Sequence, residues 1–184
     1  MSNVTLTRSA NILRKLIVFA MLADLMFVSK IIMEFLPNIH LIAVLTIVYT
    51  LVYRWEALIP VYMFVFLTGL YYGFAIWWIP YCYIWTILWA IVMILPKRMP
   101  PQVSFVVYIA VATLHGVLFG IMYAPFQALA FDLDWGAMIA WIVAGFPWDV
   151  LHGVGNAVVG ILILPLFRVL SKLESRFKVS KKEG

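Results

Sequence analysis

The chain has 184 residues, of which 66% are hydrophobic and 11% charged, and its mean hydropathy is +1.05. A water-soluble domain of this size is excluded, because folding leaves roughly 30% of a chain's surface exposed and that surface would here be largely apolar. The formal charge of +5 comes from basic residues grouped near the ends of apolar segments, which argues against a nucleic-acid-binding stripe. We therefore predict an all-α integral membrane protein with a single domain over residues 1–184.

Six apolar segments predict six transmembrane helices in one bundle, since about 20 apolar residues cross a bilayer and shorter helices are tolerated within a bundle. The segments are 12–36, 39–53, 57–73, 77–96, 102–124 and 138–170. The second and third are short, and the last is long enough for its end to leave the membrane as an amphipathic helix. Residues 1–11 and 171–184 remain as an N-terminal segment and a basic tail.

The basic residues predict the orientation of the bundle. With six spans both termini lie on one side, and the loops at Arg54 and at Lys97–Arg98 lie on that side too. If this side is the cytoplasm, twelve of the 13 Lys and Arg residues are inside, with Lys30 as the exception. This arrangement follows the positive-inside rule, whereas five spans would divide the basic clusters. We predict a multi-pass protein of the plasma membrane with both termini cytoplasmic.

The stretch "FPWDVLHGVGN", residues 146–156, carries the least expected polar residues. Asp149, His152 and Asn156 are spaced i, i+3 and i+7, so they share one helix face in the outer half of the membrane. Ionisable residues at such depth cost roughly 3 kcal/mol on insertion scales and usually face a partner or a cavity. We interpret the face as a solute site in which Asp149 bonds His152, and a purely structural cluster is the alternative. Three glycines would leave room for a cavity: Gly145, Gly153 and Gly160.

Other polar and aromatic residues are expected at the same outer end. They lie in "EFLPNIH", in "YYGFAIWWIPYCYIW" and in the fifth loop, "YAPFQALAFDLDWG", which is predicted to be the longest. The aromatic residues could instead form an aromatic belt at the membrane interface. His40 could instead only cap the start of span two. His115 is expected to form a hydrogen bond between helices nearer the inner half. Gly116 and Gly120 in "HGVLFG" are expected to let helices approach closely, within the bundle or in a dimer.

These residues indicate the kind of solute. Aromatic rings and a few polar groups suit a small polar compound with a flat ring. The inner half offers no comparable polar path, so the chain alone makes a poor channel, and it has no Walker-type loop to use ATP. A protein that captures a solute outside and cannot easily release it inside needs a partner.

This architecture resembles the substrate-binding S components of energy-coupling factor (ECF) vitamin transporters. The stretches "LPNIHLIAVLTIVYTLVYRWEALIPVYMFVFLTGLYYGFAIWWIPYCYIW" and "GFPWDVLHGVGNAVVGILILPL" carry the resemblance, together with six spans and cytoplasmic termini. The family implies a subunit that binds a vitamin or precursor at its extracellular end, and that works with a transmembrane coupling subunit and two ATPases. It is therefore not itself an enzyme, and no cofactor or metal is expected.

The resemblance also implies which residues act. Family contacts come from the first, third and fifth loops and the outer parts of spans four to six, which here supply Asn38, His40, Trp77, Trp78, Tyr81, Trp85, Asp149, His152 and Asn156. The family docks on its coupling subunit through small residues of span one, often an Ala pair four apart, whereas Ala20 and Ala23 are three apart. The vitamin stays open: a heterocyclic one is favoured, and cobalamin requires the fifth loop to open a wide cavity.

Three rival functions remain at this point. A proton-coupled secondary transporter would need polar residues through its full thickness. An intramembrane hydrolase using Asp149, His152 and His115 lacks a nearby Ser or Cys nucleophile in the sequence. A zinc or nickel site would need His40, His115 and His152 at matched depth, and His115 is expected to lie too deep.

Overall fold

The computed structural model describes residues 8–179, and this part of the chain is helical without strands. The all-α part of the predicted fold is confirmed, while the predicted terminal segments 1–11 and 171–184 lie partly outside the described residues. Eight α-helices follow one another: α1 Arg8–Ile32, α2 Ile42–Tyr53, α3 Leu58–Tyr72, α4 Trp78–Ile94, α5 Pro101–Val117, α6 Phe119–Phe131, α7 Trp135–Gly160 and α8 Ile163–Val179.

The chain reverses direction between α2 and α3, at a 3-10 turn formed by Arg54–Ala57 where the second loop was predicted. The ring of Phe19 in α1 contacts Tyr53 at 5.1 Å, and Leu22, one turn later in α1, accepts a hydrogen bond from the Tyr49 hydroxyl at 3.0 Å. Helix α2 therefore runs antiparallel to α1. Helix α3 packs on α1 in the parallel direction. The two short segments thus form a hairpin around the turn.

Helix α2 is the centre of the bundle. Nine consecutive residues, Ile42 to Thr50, are all buried, and α2 packs against α4, α8, α1, α5 and α7. A helix that is apolar on every face is stable only when other helices surround it. Its 12 residues extend about 18 Å, which is too short to cross a bilayer alone.

The connection between α1 and α2 enters the bundle, and this explains why α2 is short. Predicted span one ends at 36, but α1 ends at Ile32 and a series of turns follows. Ile39 of this connection fits against Gly155 of α7, where a Cβ would lie 2.9 Å from Ile39 Cγ1. The next residue, His40, reaches the level of Trp85 in the middle of α4, with 6.1 Å between their ring centroids.

The predicted long fifth loop is wrong. Helix α6 continues to Phe131, and only residues 132–134 connect it to α7. Its sequence is rich in Ala, Leu, Phe and Gln and lacks a helix-breaking Gly after Gly120, so helix formation continues despite Pro125. The interruption falls instead at Leu118, which separates α5 from α6. Predicted span six is also divided, at residues 161–162, into α7 and the amphipathic α8.

Helices α5 and α7 form the most extensive contact in the bundle, and glycines make it possible. A Cβ on Gly116 would lie 2.8 Å from the backbone nitrogen of Gly153, and one on Gly160 would lie 3.2 Å from Ile109. Gly116 thus serves packing within one bundle, as one of the two interpretations predicted. Gly153 and Gly160 also face α5, so they do not open a cavity. Gly145 meets no neighbouring atom within 4 Å.

The outer surface of the bundle is apolar. Large hydrophobic side chains are exposed along the outward faces of α1, α3, α5 and α7. By length and composition alone, three helical runs are long and apolar enough to cross a membrane: Ile42–Tyr72, Pro101–Phe131 and Trp135–Gly160. The first of these runs reverses direction at Arg54–Ala57, so it does not cross as one straight helix. Contiguous apolar surface of this extent is unusual in a soluble monomer. These features are compatible with a membrane protein.

The two ends of the bundle differ in chemistry. At the basic end, which we define by Arg54, Lys97 and Arg98, the Arg54 guanidinium donates to the carbonyl of Met93 at 3.1 Å. The two predicted inner loops therefore lie at one end. At the aromatic end, which we define by Tyr72 and Trp77, the rings lie 6.2 Å apart. Lys30 lies 5.1 Å from the Tyr72 ring, and Glu34 accepts from the Tyr72 hydroxyl at 3.1 Å.

We expect Gly116→Ala to lower the stability of the bundle, because the new methyl group would meet the α7 backbone at Gly153. Overpacking of this kind costs about 1–3 kcal/mol. The measurement is the midpoint of thermal unfolding in detergent. Gly145→Ala is the matched control: it has free space and gains helix propensity, so its midpoint should stay or rise. A lower midpoint for Gly145→Ala alone would contradict the assignment of the tight contact.

Candidate functional site

The three histidines of the chain pack around two aromatic rings in the middle of the bundle. His40 lies 4.9 Å from His152 between ring centroids. Trp85 lies 5.4 Å from His115, and Phe119 lies 5.1 Å from His152 and 6.1 Å from His115. We call these five residues the imidazole cluster. His115 was expected at a different level from His40 and His152, yet Trp85 contacts both His40 and His115, and Phe119 contacts both His115 and His152.

The imidazole cluster contains polar atoms that are buried without a partner. Six buried side-chain nitrogen or oxygen atoms lack a hydrogen bond among the described residues, and four of them are His40 Nδ1, Trp85 Nε1, His115 Nδ1 and His152 Nε2. A fifth is Asn156 Oδ1, one helical turn from His152. Buried polar groups are nearly always paired, and each unpaired one costs about 1–3 kcal/mol. Their concentration in one place marks this position as a candidate ligand site.

His115 also forms the helix-to-helix contact expected of it. Its Nε2 lies 3.2 Å from the carbonyl oxygen of Ile84, which joins α5 to α4. This bond fixes the ring and leaves Nδ1 for another partner. His115 therefore both joins two helices and contributes an unpaired nitrogen to the imidazole cluster.

Asp149 has a different partner from the one predicted. Its Oδ2 accepts the backbone N–H of Gly120 at 3.1 Å, in the first turn of α6. Leu118 departs from helical geometry with φ −93° and ψ 5°, and a carboxylate is a favourable acceptor for an N–H in the first turn of the helix that follows. Gly120 is needed here because a Cβ would lie 3.1 Å from Asp149 Cγ. Asp149 therefore caps α6, and the predicted bond to His152 is not formed.

Each of the two asparagines of the predicted site forms a hydrogen bond to the backbone of a different segment of the chain. Asn156 donates from Nδ2 to the carbonyl of Ala112 in α5 at 2.9 Å. Asn38 adopts a left-handed φ of 58° and donates to the carbonyl of Trp148 in α7 at 3.2 Å. Asn38 thus holds the entering connection against α7. Asn156 is the one whose free oxygen lies near the imidazole cluster.

A cleft of about 240 Å³ opens beside the cluster, between α6 and α7. Phe119 belongs to both, and Asp149 and Gly145 also line the cleft. Tyr123 and Trp141 form its walls with rings stacked 5.7 Å apart at 24°. Phe119, Tyr123 and Trp141 were not predicted as site residues. Tyr123 fell in the predicted loop 123–136, whereas Phe119 and Trp141 lie in predicted spans and are apolar or aromatic like their neighbours. Continuing the helical pattern past Pro125 would have placed Tyr123 on a helix.

The predicted aromatic contacts divide into two groups. Tyr81 lies 5.9 Å from Trp85 and 6.4 Å from Phe119, so it borders the cluster. Trp77 lies 5.5 Å from Tyr81 and extends this row toward the aromatic end. Trp78 instead donates its indole N–H to the carbonyl of Val65 at 2.7 Å, which joins α4 to α3 away from the cluster. Trp78 therefore has a structural role rather than the predicted role of a solute contact.

The predicted docking residues are not equally accessible. Ala23 is fully buried in the core, so a partner cannot contact it in this structure. Ala20 is half-buried. The difference follows from the three-residue spacing, which turns Ala23 toward the core face of α1 that also carries Phe19 and Met26.

The histidines do not form a metal site. Within residues 8–179 no group of three or more His, Cys, Asp or Glu side chains is arranged to hold a metal ion. The imidazoles of His115 and His152 are each in contact with Phe119, whose ring lies among them.

Comparison with known proteins adds no identification. A scan against protein-family models gives no match, and searches of curated proteins and of solved structures find no similar chain.

We expect Asp149→Ala to expose the first turn of α6, because the Gly120 N–H loses its acceptor. Loss of a cap costs about 1 kcal/mol. Hydrogen exchange followed by mass spectrometry should show faster exchange in peptides covering 118–124. Asp149→Asn keeps a side-chain oxygen and should exchange more slowly than Asp149→Ala. Equal exchange in the wild type and Asp149→Ala would refute the cap.

Proposed function

We propose that this chain is a six-span membrane subunit that binds a small, ring-shaped polar solute at the imidazole cluster and the adjoining cleft. The observation that carries the proposal is the group of unpaired buried atoms on His40, Trp85, His115 and His152. An apolar bundle that keeps four such atoms together gains stability when a ligand supplies their partners. A structural polar cluster would instead pair its own members.

The unpaired atoms define the chemistry of the solute. The Trp85 indole donates a hydrogen bond, Asn156 Oδ1 accepts one, and each free imidazole nitrogen does either according to its tautomer. The solute must therefore carry both donors and acceptors on one edge. Phe119 and Tyr81 offer aromatic faces and edges to a flat ring. A heterocyclic vitamin or its precursor has these properties.

The size of the cleft limits the solute further. Its volume of about 240 Å³ is below the range of roughly 300–1,000 Å³ usual for drug-sized ligands. The short connection at 132–134 leaves no long loop that could widen it. A single or fused ring fits this space far better than cobalamin does.

The rest of the bundle supports a subunit that depends on a partner for release. Between the imidazole cluster and the basic end, the core is filled by apolar side chains such as Ile47, Leu88 and Val92. Thr46 and Thr50 of α2 are buried polar exceptions, and a solute bound at the cluster would face a mostly apolar core among the described residues. This favours the function implied by the resemblance, an S component acting with a coupling subunit and two ATPases, over a secondary transporter.

The ends of the bundle support the proposed orientation. The basic end would face the cytoplasm according to the positive-inside rule. The cleft, which is lined by residues of α6 and α7 near the aromatic end, would then open toward the outside. The plasma membrane of a bacterium is the proposed location.

We expect His152→Ala and Trp85→Phe each to weaken solute binding about tenfold or more, because each removes a polar atom that the solute would pair with. The measurement is intrinsic tryptophan fluorescence of the full chain in detergent, titrated with water-soluble vitamins and precursors. Trp55→Phe is the control, since Trp55 is 70% exposed and lies beside Trp89 toward the basic end. If both site variants bound the solute with wild-type affinity and unfolded at the wild-type midpoint, the cluster would be structural and the proposal would be wrong.

We expect the chain alone to bind the solute without transporting it, because the apolar core blocks release. Proteoliposomes containing only this chain should show no uptake driven by a proton gradient. Co-reconstitution with a coupling subunit and ATPases should give ATP-dependent uptake of the radiolabelled solute. Uptake by the chain alone under a proton gradient would favour the secondary transporter.

A further inference from the structure

A second concave site lies at the basic end, remote from the imidazole cluster. It is a groove of about 400 Å³ between α2, α5, α8 and the connection from α4 to α5, and we call it the basic groove. Arg54, Lys97 and Arg98 line it, and none of its lining residues is acidic. Three cations around one concavity attract an anion.

The basic groove is built from constrained backbone. Arg54 has a left-handed φ of 56°, which is uncommon for a residue other than glycine. Its carbonyl accepts the Trp89 indole N–H at 3.0 Å, and its own guanidinium donates to Met93. The guanidinium is thus fixed by a bond that uses one of its five N–H donors. A strained residue held by its neighbours is often found at a binding site.

Lys97 and Arg98 lie between prolines. The connection "LPKRMPP" contains Pro96, Pro100 and Pro101, whose fixed φ angles reduce the number of conformations it can adopt. The two cationic side chains are exposed at the mouth of the groove, and both lie outside the ion pairs of the described residues. A ligand therefore would not have to break an existing salt bridge to contact them.

The interior of the groove has a mixed character. Ser104 and Tyr108, one turn apart on α5, bring hydroxyl groups to the cationic side. Leu51, Leu164 and Phe167 form an apolar wall. Hydroxyl and guanidinium groups bind phosphate oxygens, and an apolar wall accepts a hydrocarbon chain. Such a combination fits an amphiphile with an anionic head.

We infer that the basic groove binds the phosphate headgroup of an anionic phospholipid. Arg54, Lys97 and Arg98 contact the phosphate, and an acyl chain follows the wall beside Phe167. The positive-inside orientation places the groove at the level of the cytoplasmic headgroups. The inference uses the proposed membrane location and is independent of the solute site in the middle of the bundle.

The test is native mass spectrometry of the full chain in detergent, titrated with phosphatidylglycerol or with zwitterionic phosphatidylcholine. The wild type should bind phosphatidylglycerol about tenfold more tightly. The double variant Lys97→Gln, Arg98→Gln should lose this preference. The control, Lys172→Gln, Arg176→Gln, removes the same charge from α8 outside the groove lining and should keep it.

Two outcomes would overturn the inference. Equal loss of phosphatidylglycerol binding in both double variants would indicate a general charge effect rather than a site. Displacement of the bound lipid by millimolar inorganic phosphate would indicate that the groove binds soluble phosphate compounds and is not a lipid site. Solute titration of the same variants separates this result from the proposed function, because changes at the basic groove should leave affinity at the imidazole cluster unaltered.

Discussion

The structure depends on one constraint: in an apolar bundle each interrupted helix must find hydrogen-bond partners for its free backbone groups from within the protein. At the break between α5 and α6, Asp149 accepts the Gly120 N–H. At the turn between α2 and α3, the Trp89 indole donates to the Arg54 carbonyl. At each of these two interruptions a side chain of another helix thus pairs with the backbone, and each interruption lies beside one of the two candidate sites.

The same constraint separates structural polar groups from those available to a ligand. Asp149 and Trp78 looked like ligand contacts, yet each is paired with backbone of a neighbouring helix. His152 and Trp85 keep buried atoms that nothing in the described chain satisfies. The difference lies in geometry between helices, so residue type alone does not reveal it. The proposed solute site accordingly depends on the unpaired buried atoms of the imidazole cluster, and not on the helix face with Asp149 that first indicated a site.

Two sites of different character, one in the middle of the bundle and one at its basic end, would give the bundle a defined direction. The imidazole cluster and its cleft are aromatic with the single acidic residue Asp149, and suit a ring compound entering from the aromatic end. The basic groove is cationic and suits a phosphate at the other end. Between them, the core around α2 is buried and mostly apolar. The proposed division of labour, binding here and release by a partner, follows from that closed centre.

The sequence by itself determined the helical class, the grouping of Arg54 with Lys97 and Arg98 at one end, and the face that holds His152 and Asn156. These follow from hydrophobicity and helical period, which are local properties. Only the tertiary structure decided that the connection before His40 enters the bundle, that α6 replaces the predicted loop, and that His115 joins the other histidines. Those features depend on contacts between distant segments, such as Ile39 against Gly155, and a local pattern does not encode which partner a segment will find.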